Sequence, residues 1–328
     1  MSVACCFGPE SLELDIRKEC QTICDSIRMY LSRYRRKGAT VAMSGGIDSS
    51  VVATLCVQAL GKERVLGLHL PEKESSHDTL RLSQLLADWL HIDSIVEDIS
   101  PILEAAGCYK RRNDSIRLVF PDFCDTDAVK IVLPSVIESD SYRIYSVVIR
   151  STDGKEIKCR LTSEAYLGIV AATNFKQRIR KMMEYHHADR LNYAVSGTPN
   201  RLEYDQGFFV KLGDGAADFK PIAHLYKSQV YQMAAFLDIP EEIQRRQPTT
   251  DTYSMPQSQD EFYFSLPYKL MDLCLFGKNN GIPINEISVA TKLSEDQVAR
   301  VFRDIEQKRR ATAYLHAAPL LAGSIHDF

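Results

Sequence analysis

The strongest constraint on the fold is a regular alternation of strand-like and helix-like segments between residues 39 and 99. Buried-strand patterns cover residues 39–43, 65–70 and 92–99, and helical patterns cover residues 49–60 and 76–90. Strands that alternate with helices in this way pair in parallel, through right-handed crossovers that place helices against the sheet. The sequence therefore predicts an α/β fold, a doubly wound parallel sheet with helices on both faces.

Further elements lie before and after this alternation. Apolar residues recur at helical spacing in residues 12–34, and basic residues crowd the end of that segment. The later patterns predict a helix over residues 164–190, a strand over 193–196, a helix over 225–237 and two short helices in 283–310. We therefore treat residues 1–328 as one domain, with residues 283–328 as a C-terminal helical tail.

The alternation is interrupted between residues 105 and 163. Two β-rich pieces, residues 142–150 and 155–161, flank the turn sequence Asp153-Gly154, which is typical of a hairpin. We predict a β-rich insertion within the α/β domain. Its role stays open, because long insertions add little loop-closure entropy and are tolerated at a surface, but extra chain here could equally serve a different substrate.

The charge balance excludes some classes of partner. The chain has 40 basic and 43 acidic residues, a net charge of −3, which provides no overall field to attract nucleic acid or an anionic membrane. No apolar run is long enough to span a bilayer, and the first ten residues lack the order of a signal peptide. We expect a cytoplasmic protein with no nucleic-acid or membrane partner. The helix pair in the tail is then expected to be structural.

Nine cysteines raise the question of disulfides or zinc. Their number is odd, they are scattered through apolar patterns, and they form no C-x-x-C pair. Reduced thiols in the core fit this usage better than a redox or metal site. Cys5 and Cys6 lie too near the start of the chain to interpret.

A glycine-rich turn, Ser44-Gly45-Gly46, joins the first strand to the next helix. Such a turn directs backbone N–H groups and the positive end of a helix dipole at one point, and nearby serine hydroxyls add donors. The pattern is neither G-x-x-x-x-G-K-[ST] nor G-x-G-x-x-G. A plain strand-to-helix turn is the alternative, but the flanking serines and Asp48 favour a cradle for phosphate.

The run Ser44-Gly45-Gly46-Ile47-Asp48-Ser49-Ser50 resembles the S-G-G-x-D-S-S pyrophosphate loop of the N-type ATP pyrophosphatases. These enzymes activate a carboxylate or carbonyl group as an adenylate. The resemblance by itself covers several activities, including NAD synthetase, the synthetase domain of GMP synthetase, asparagine synthetase and transfer-RNA thiolation.

A second set of motifs narrows this choice. Three runs are similar to the G-T-x-N-x-x-E, G-x-F-x-K-x-G-D-G-x-x-D and L-x-K motifs of NAD synthetases: Gly197 to Glu203, Gly207 to Asp218, and Leu225-Tyr226-Lys227. The resemblance implies an adenine nucleotide alpha hydrolase-like α/β fold and a homodimer. It also implies an enzyme that amidates nicotinic acid adenine dinucleotide with ATP, magnesium and ammonia.

The chemistry of that reaction explains which residues are needed. A carboxylate does not react with ammonia, because its carbon is a poor electrophile and its oxygen a poor leaving group. Attack of the carboxylate on the α-phosphorus of ATP releases pyrophosphate and forms an acyl adenylate, which ammonia converts to the amide and AMP. The protein must position the reactants and neutralise phosphate charge.

The resemblance assigns the ATP side of this chemistry to particular residues. Asp48 and Glu203 are the implied magnesium ligands, in keeping with the preference of that ion for carboxylate oxygen. The implied catalytic residues are Asp48, Lys211 and Lys227. The implied ATP-binding residues are Ser44, Gly45, Gly46, Ile47, Asp48, Ser49, Ser50, Thr198, Lys227 and Thr249.

The resemblance assigns the acid substrate to Arg178, Lys211, Asp218 and Lys308. Arginine binds phosphate through two parallel hydrogen bonds and lysine as a point charge, so these residue types suit a dinucleotide. A solvated charged helix face is the alternative for residues 176–181. Gln307 stands where many members have histidine, which leaves the part played by this position open.

Three hypotheses follow for the function. The first is an NAD synthetase that uses free ammonia or ammonia from a separate glutaminase, since we recognise no nitrilase-type glutaminase region before the synthetase motifs. The second is an amide ligase that activates a different carboxylic acid. The third is a non-catalytic nucleotide-binding protein, which would have no need of magnesium ligands such as Asp48 and Glu203. Arg178, Lys211 and Asp218 favour the first over the second.

Overall fold

The structure is a computed structural model that describes residues 7–136, 144–249 and 252–323. Its strands are β1 (Ala39–Ala42), β2 (Val65–His69), β3 (Asp93–Val96), β4 (Ala128–Val132), β5 (Ser146–Arg150), β6 (Glu156–Arg160) and β7 (Ala194–Val195). One sheet has the order β3-β2-β1-β7, and each of its neighbouring pairs is parallel. The second sheet, β4-β5-β6, is antiparallel. The predicted parallel sheet is confirmed.

Helices account for most of the remaining chain. They are α1 (Ile16–Arg33), α2 (Ile47–Leu60), α3 (His77–Leu90), α4 (Ser100–Ala105), α5 (Cys108–Arg117), α6 (Ser163–Leu191), α7 (Arg201–Gln206), α8 (Lys227–Phe236), α9 (Glu241–Arg245), α10 (Tyr268–Asn279), α11 (Ile284–Thr291) and α12 (Glu295–His316). A five-residue π-helical turn, Asp260–Phe264, precedes α10.

Helices cover both faces of the parallel sheet, as predicted. On one face, Val41 of β1 and Val65 of β2 belong to a core with apolar residues of α1, α2, α3 and α8. On the other face, Leu66 and Leu68 of β2 pack with residues of α4, α5 and α6. Successive residues of a strand point to opposite faces, and β2 is buried throughout because both of its faces are covered.

Strand β3 is shorter than the predicted 92–99. Asp98 accepts a hydrogen bond from the Ser100 N–H at 2.8 Å, and its carboxylate therefore stabilises the beginning of α4 rather than more strand. The backbone N–H groups of Glu97 and Ile99 still donate to the carbonyl oxygens of His69 and Pro71, at 2.9 and 3.0 Å, before α4 begins. Capping residues that the sequence does contain, such as Ser76 before α3 and Thr162 before α6, each accept a backbone N–H of the first helical turn.

The segment 105–163 is only partly β-rich. The predicted hairpin is present as β5 and β6, with Gly154 at a φ of 85° in the turn, although residues 137–143 lie outside the described ranges. Helix α5 occupies the beginning of the segment. Buried residues recur in it at helical spacing, including Cys108, Arg112 and Ile116, and its apolar side packs on α6. The sequence patterns did not predict this helix.

The helical tail packs onto α10. Ile287 of α11 and Val298, Val301 and Ile305 of α12 are buried in one core with Cys274 and Leu275 of α10. Both helices of the tail are therefore part of the protein core. Helix α12 has 22 residues and is longer than the short helix predicted; in its second half, Arg309 donates to Asp205 of α7 at 2.6 Å and to Asn279 of α10 at 2.6 Å.

The seven cysteines in the described part of the chain are free thiols. Five cysteines are buried as free thiols, namely Cys20, Cys24, Cys56, Cys108 and Cys274, whereas Cys5 and Cys6 fall outside the described residues. Within the described ranges, His, Cys, Asp and Glu form no group of three or more that could hold a metal ion. No helix in the described part of the chain is long and apolar enough to cross a membrane.

Candidate active site

The turn between β1 and α2 is shaped by Gly45. This glycine has a φ of +66°, and a Cβ at this position would lie 2.8 Å from the Thr79 carbonyl oxygen and 3.0 Å from the Ser83 nitrogen. Both the left-handed backbone and the close approach of α3 exclude a side chain. The loop therefore passes close to α3 and places Gly46 immediately before the first turn of α2.

Serine hydroxyls stabilise this loop. Ser49 Oγ and Ser50 Oγ donate to the Gly46 carbonyl oxygen at 3.0 and 2.8 Å, and Ser49 Oγ accepts from the Ser44 N–H at 3.3 Å. Ser50 is fully buried, so its hydroxyl serves the turn itself. Ser44 and Ser49 border an open cavity at the N-terminus of α2, where an anion is favoured by the helix dipole.

The cavity has a volume of about 390 Å³, in the range of small-molecule sites. It brings together most of the residues predicted on the ATP and metal side, although they come from distant parts of the sequence. Those that line it are Ser44, Gly46, Ile47, Asp48, Ser49, Thr198, Glu203, Lys227 and Thr249. Gly45 and Ser50 belong to the same loop and helix but do not line the cavity.

Four residues at one wall of the cavity form a polar cluster. Lys227 is 2% exposed and makes an ion pair with Asp48. The Asn200 side-chain amide donates to Asp48 Oδ1 at 3.0 Å, and the Asn200 backbone N–H donates to Glu203 Oε2 at 3.1 Å. Asn200 thereby connects the two carboxylates that were predicted to bind magnesium.

The charges of this cluster are unbalanced. Burial and the negative charge of Asp48 raise the pKa of Glu203 to about 8. Burial alone would lower the pKa of Lys227, but the charges of Asp48 and Glu203 outweigh it and the pKa is raised. One ammonium thus faces two carboxyl groups, and Glu203 is protonated below about pH 8 unless a further cation stabilises its negative charge. Magnesium is commonly held by one or two carboxylates together with substrate phosphates, so these residues fit that ion.

Asp272 fixes the backbone that carries Lys227. Its carboxylate accepts the Lys227 N–H at 3.2 Å and the Ser228 N–H and hydroxyl, each at 2.6 Å. These bonds satisfy the free N–H groups at the beginning of α8. Burial raises the pKa of Asp272 to about 6. Nothing local in the sequence connects Asp272 with Lys227, because the helix-capping group comes from α10.

Gln259 supports Glu203 from the opposite side. Its side-chain amide donates to Glu203 Oε1 at 2.9 Å. The segment that carries Gln259 is held by β4, since the Val129 N–H donates to Ser254 Oγ at 2.8 Å and Lys130 pairs with Glu261 at 2.6 Å. A strand of the 105–163 segment thus holds a loop that contacts a predicted metal ligand.

A family model for NAD synthase matches residues 19–119 and 124–312. The chain belongs to the NAD synthase family. Among similar proteins, the NH(3)-dependent NAD(+) synthetase of Mesorhizobium japonicum is 56% identical over 96% of this chain and 99% of its own length. The protein of that name from Rhizobium meliloti is 54% identical over 98% of this chain and 96% of its own length.

Solved structures of lower identity share the fold of this NAD synthase family member. The NH3-dependent NAD synthetase of Campylobacter jejuni is 23% identical with a TM-score of 0.62, and it aligns over 95% of this chain and 100% of that one. The NMN synthetase of Francisella tularensis is 21% identical with a TM-score of 0.67, over 95% and 100% of the two chains. These likenesses agree with the parallel sheet and its covering helices.

The four residues predicted for the acid substrate lie apart from the cavity that the structure describes. Arg178 Nε donates to the Lys211 carbonyl oxygen at 3.3 Å, while Lys211 Nζ donates to the carbonyl oxygens of Tyr314 and Ala317 at 2.7 and 3.1 Å. Lys211, predicted to be catalytic as well, therefore points to the end of α12. The substrate roles of Arg178 and Lys211 in this NAD synthase family member stay predictions.

The other two acid-side residues are also engaged in protein contacts. Asp218 accepts the Val195 N–H at 2.7 Å and the Tyr185 hydroxyl at 3.3 Å, which places it beside β7. Lys308 donates to the Tyr263 carbonyl oxygen at 2.9 Å and pairs with Asp304 at 2.7 Å. Their roles toward a dinucleotide likewise stay predictions.

The alternative of a solvated charged face is wrong for part of residues 176–181. Lys176 is 1% exposed and lies 2.8 Å from Glu72 Oε1 and 2.6 Å from Glu74 Oε2. Lys181 is also buried and pairs with Glu184 at 2.7 Å. Lys176 and Lys181 line the cavity of this NAD synthase family member, whereas Arg178 between them is exposed.

Sequence reasoning gave no role to Arg246, which lines the cavity, or to Asn200, which contacts two residues of its lining. Arg246 Nη1 donates to the Ser44 carbonyl oxygen at 3.1 Å and Nη2 donates to Thr79 Oγ1 at 2.7 Å, so it ties the glycine-rich loop to α3. Nothing in its sequence context signals this contact. Asn200 was quoted only as part of a motif, but the pattern Asn-x-x-Glu is a helix-start signal that predicts the contact with Glu203.

Proposed function

We propose that this chain is an ammonia-dependent NAD synthetase. It forms NAD, AMP and pyrophosphate from nicotinic acid adenine dinucleotide, ATP and ammonia. The observation that carries the proposal is the cluster of Asp48, Glu203 and Lys227 beside the glycine-rich loop at the N-terminus of α2. The names of the relatives that are more than 50% identical over nearly the whole chain support it.

The first step is adenylation of the substrate carboxylate. A carboxylate oxygen attacks the α-phosphorus, the bond from that phosphorus to the bridging oxygen of the β-phosphate breaks, and pyrophosphate leaves. The backbone N–H of Gly45 and the N-terminus of α2 hold the leaving phosphates in this account. Lys227 adds a positive charge that opposes the charge developing on them.

Asp48 and Glu203 would hold magnesium in this reaction. When bound, the ion supplies positive charge that screens the phosphate oxygens from the incoming carboxylate. Glu203 has a pKa of about 8, so it releases a proton when it becomes a metal ligand below that pH. Asn200 holds the two carboxylates at a fixed separation before any ligand arrives.

The second step is amide formation. Ammonia nitrogen attacks the acyl carbon, the bond between that carbon and the AMP oxygen breaks, and a proton is released. We propose free ammonia, or ammonia from a separate glutaminase, as the nitrogen source. We also propose that the enzyme acts in the cytoplasm as a homodimer in which Arg178, Lys211, Asp218 and Lys308 contact the acid substrate, as its resemblance to the family implies.

The test is turnover of defined substrates by the purified chain. We expect NAD and AMP in equal amounts from nicotinic acid adenine dinucleotide, ATP, magnesium and ammonium, and far less product with glutamine in place of ammonium. The variant Asp48→Asn is the negative control. Absence of NAD, together with ATP-dependent AMP formation from another carboxylic acid, would select the alternative of an amide ligase for a different acid.

A further inference from the structure

Lys176 of α6 is a buried lysine for which the mechanism above has no role. It is 1% exposed, and its Nζ lies 2.8 Å from Glu72 Oε1 and 2.6 Å from Glu74 Oε2. The same ammonium donates to the Thr252 carbonyl oxygen at 2.9 Å. An ammonium has three hydrogens, and these three contacts use all of them. Lys176 therefore joins α6 to two separate segments of the chain and does not itself bind a substrate.

Both of the joined segments border the cavity. The segment after β2 contributes Pro71 and Ser75 to the cavity lining, and the later segment contributes Thr252 and Tyr253. The ammonium of Lys176 lies where these two segments meet α6. One buried charge thus connects two parts of the cavity wall that are far apart in the sequence.

Helix α5 completes this network. Arg112 Nη1 donates to the two carboxylate oxygens of Glu74 at 2.8 and 2.7 Å, and the Tyr109 hydroxyl donates to Glu72 Oε2 at 2.7 Å. Two cations therefore face two carboxylates. Burial alone would raise the pKa of Glu74, but the charges of Lys176 and Arg112 outweigh it and the pKa is lowered.

Removal of the Lys176 ammonium would upset this balance. Glu72, whose side chain is fully buried, and Glu74 would share the single charge of Arg112, and a buried carboxylate that loses its cation is strongly unfavourable. The Thr252 carbonyl oxygen would lose the same donor. The two wall segments would no longer be tied to α6 at this point, so water could enter the cavity between them.

We propose that Lys176 is a positioning residue that holds these two wall segments together and thereby keeps water from the acyl adenylate. In the reaction that it suppresses, a water oxygen attacks the acyl carbon and the bond between that carbon and the AMP oxygen breaks. The substrate acid and AMP are then formed, the protons of the water pass to the solvent, and no NAD is made. This inference rests on the proposed function, because the adenylate is the intermediate of that reaction.

The test compares the amounts of NAD and AMP formed at a low ammonium concentration. We expect equal amounts from the wild-type chain. Lys176→Met should give no more than about one NAD for every two AMP, because an intermediate that is no longer shielded from water is hydrolysed. Unfolded molecules form neither product, so partial unfolding does not change this ratio. A higher ammonium concentration should restore the ratio, because ammonia and water compete for the same carbon.

Water labelled with oxygen-18 identifies the atom that water attacks in Lys176→Met. Attack on the acyl carbon places the label in the recovered acid, whereas attack on the α-phosphorus of ATP places it in AMP. We expect the label in the acid. Label in AMP alone would mean that water replaces the substrate carboxylate in the first step, and it would overturn the proposed protection of the adenylate.

Lys278→Met is the matched control. Lys278 pairs with Glu306 at 3.0 Å, where it joins α10 to α12 away from the cavity lining. We expect this variant to form NAD and AMP in equal amounts. Glu74→Gln is a second route if Lys176→Met does not fold. It keeps the ammonium but removes one charge of the network, so its ratio should lie between those of the wild type and Lys176→Met.

The outcomes separate this inference from the proposed function. Equal amounts of NAD and AMP in Lys176→Met, or in Glu74→Gln if only that variant folds, would overturn the role of Lys176. A ratio that falls to the same extent in Lys278→Met would also overturn it, because the leak would then follow from any lost ion pair. Absence of NAD with the wild-type chain would instead remove the proposed function and, with it, this role.

Discussion

The side-chain amide of Asn200 donates a hydrogen bond to Asp48 Oδ1 at 3.0 Å, although 152 positions separate the two residues in the sequence. The same side chain caps α7, since Asn200 Oδ1 accepts the N–H groups of Leu202 and Glu203. One residue therefore sets both the beginning of a helix and the position of Glu203 relative to Asp48. Helix capping and metal-site geometry are coupled through it.

We expect Asn200→Ala to lower kcat/KM for ATP by about tenfold or more, because a misplaced catalytic group lowers the rate steeply. Loss of the cap should also reduce stability by about 1 kcal/mol. Ser294→Ala is the matched control, as Ser294 caps α12 in the same way with a contact of 3.2 Å to the Gln297 N–H. Steady-state kinetics and thermal unfolding of both variants provide the measurement. Equal activity in the two variants would show that Asn200 acts only as a cap.

Glu203→Gln should change the pH dependence of stability. The folded state raises the pKa of Glu203 from 4.5 to about 8, so its contribution to stability is fully present below 4.5 and is lost as the pH rises through about 8. The amide cannot ionise and avoids this loss. Without magnesium, we expect the variant to gain stability relative to the wild type between pH 5 and pH 9, by on the order of 1 kcal/mol.

Differential scanning calorimetry at several pH values measures this effect. Because other carboxylates with raised pKa values, such as Asp272, are present in both proteins, the difference between variant and wild type isolates Glu203. A constant difference in melting temperature from pH 5 to pH 9 would contradict the predicted ionisation. Amidation activity should be lost in the variant at every pH, because one of the two proposed magnesium ligands is removed.

Local sequence patterns predicted the parts of the fold that depend on neighbouring residues. The turn at Gly45 and the start of α2 follow from glycine geometry and an apolar helix, and both could be predicted. Helix α5 was missed because the charged sequence around Arg112 hides an ion pair with Glu74, 38 positions away. A polar residue that is buried through a distant partner has no hydrophobic pattern to detect.

The same distinction between local and long-range contacts holds for the candidate active site. Motifs identified Asp48, Glu203 and Lys227, but they could not show that Asp272 fixes the backbone of Lys227 or that Gln259 supports Glu203. Those contacts depend on how α10 packs against α8 and on how the segment after residue 252 packs against β4. Long-range packing of this kind leaves no periodic signal in a single sequence.

Removal of one partner of the ion pair between Lys227 and Asp48 should lower the stability of the protein. Lys227→Met leaves two carboxylates without a buried cation, and we expect a loss of about 3–5 kcal/mol in stability. The double variant Lys227→Met with Asp48→Asn should regain part of that loss but form no NAD, and Asp48→Asn alone should be inactive and folded. Urea unfolding of the single and double variants gives the coupling free energy.

The exposed pair Lys110 and Asp114 is the control for that cycle. It joins two surface side chains of α5 at 2.7 Å, and Lys110→Met should cost no more than about 1 kcal/mol with full activity. A similar small loss in Lys227→Met would mean that the buried lysine is not needed to balance Asp48.

Gly45→Ala should destabilise the chain much more than Gly46→Ala. A Cβ on Gly45 would collide with the Thr79 carbonyl oxygen in a left-handed backbone, whereas a Cβ on Gly46 meets only Ser44 Oγ at 3.3 Å. We expect a loss of about 1–3 kcal/mol for Gly45→Ala and clearly less for Gly46→Ala. Thermal unfolding without nucleotide separates this backbone effect from phosphate binding. Equal losses would contradict the assignment of Gly45 as the strained position.

The ion pair between Lys130 of β4 and Glu261 should influence the site through Gln259. This ion pair fixes the segment that carries Gln259, whose side-chain amide donates to Glu203. Lys130→Met should therefore make the position of Glu203, a proposed magnesium ligand, less fixed without altering that residue itself. We expect the magnesium concentration for half-maximal activity to rise by roughly threefold to tenfold, the scale on which supporting residues affect metal affinity. Arg150→Met is the control, because Arg150 pairs with Glu156 inside the β5–β6 hairpin at 2.6 Å. Magnesium titrations of both variants at saturating ATP measure the effect, and an equal response would mean that the 105–163 segment does not support the site through this contact.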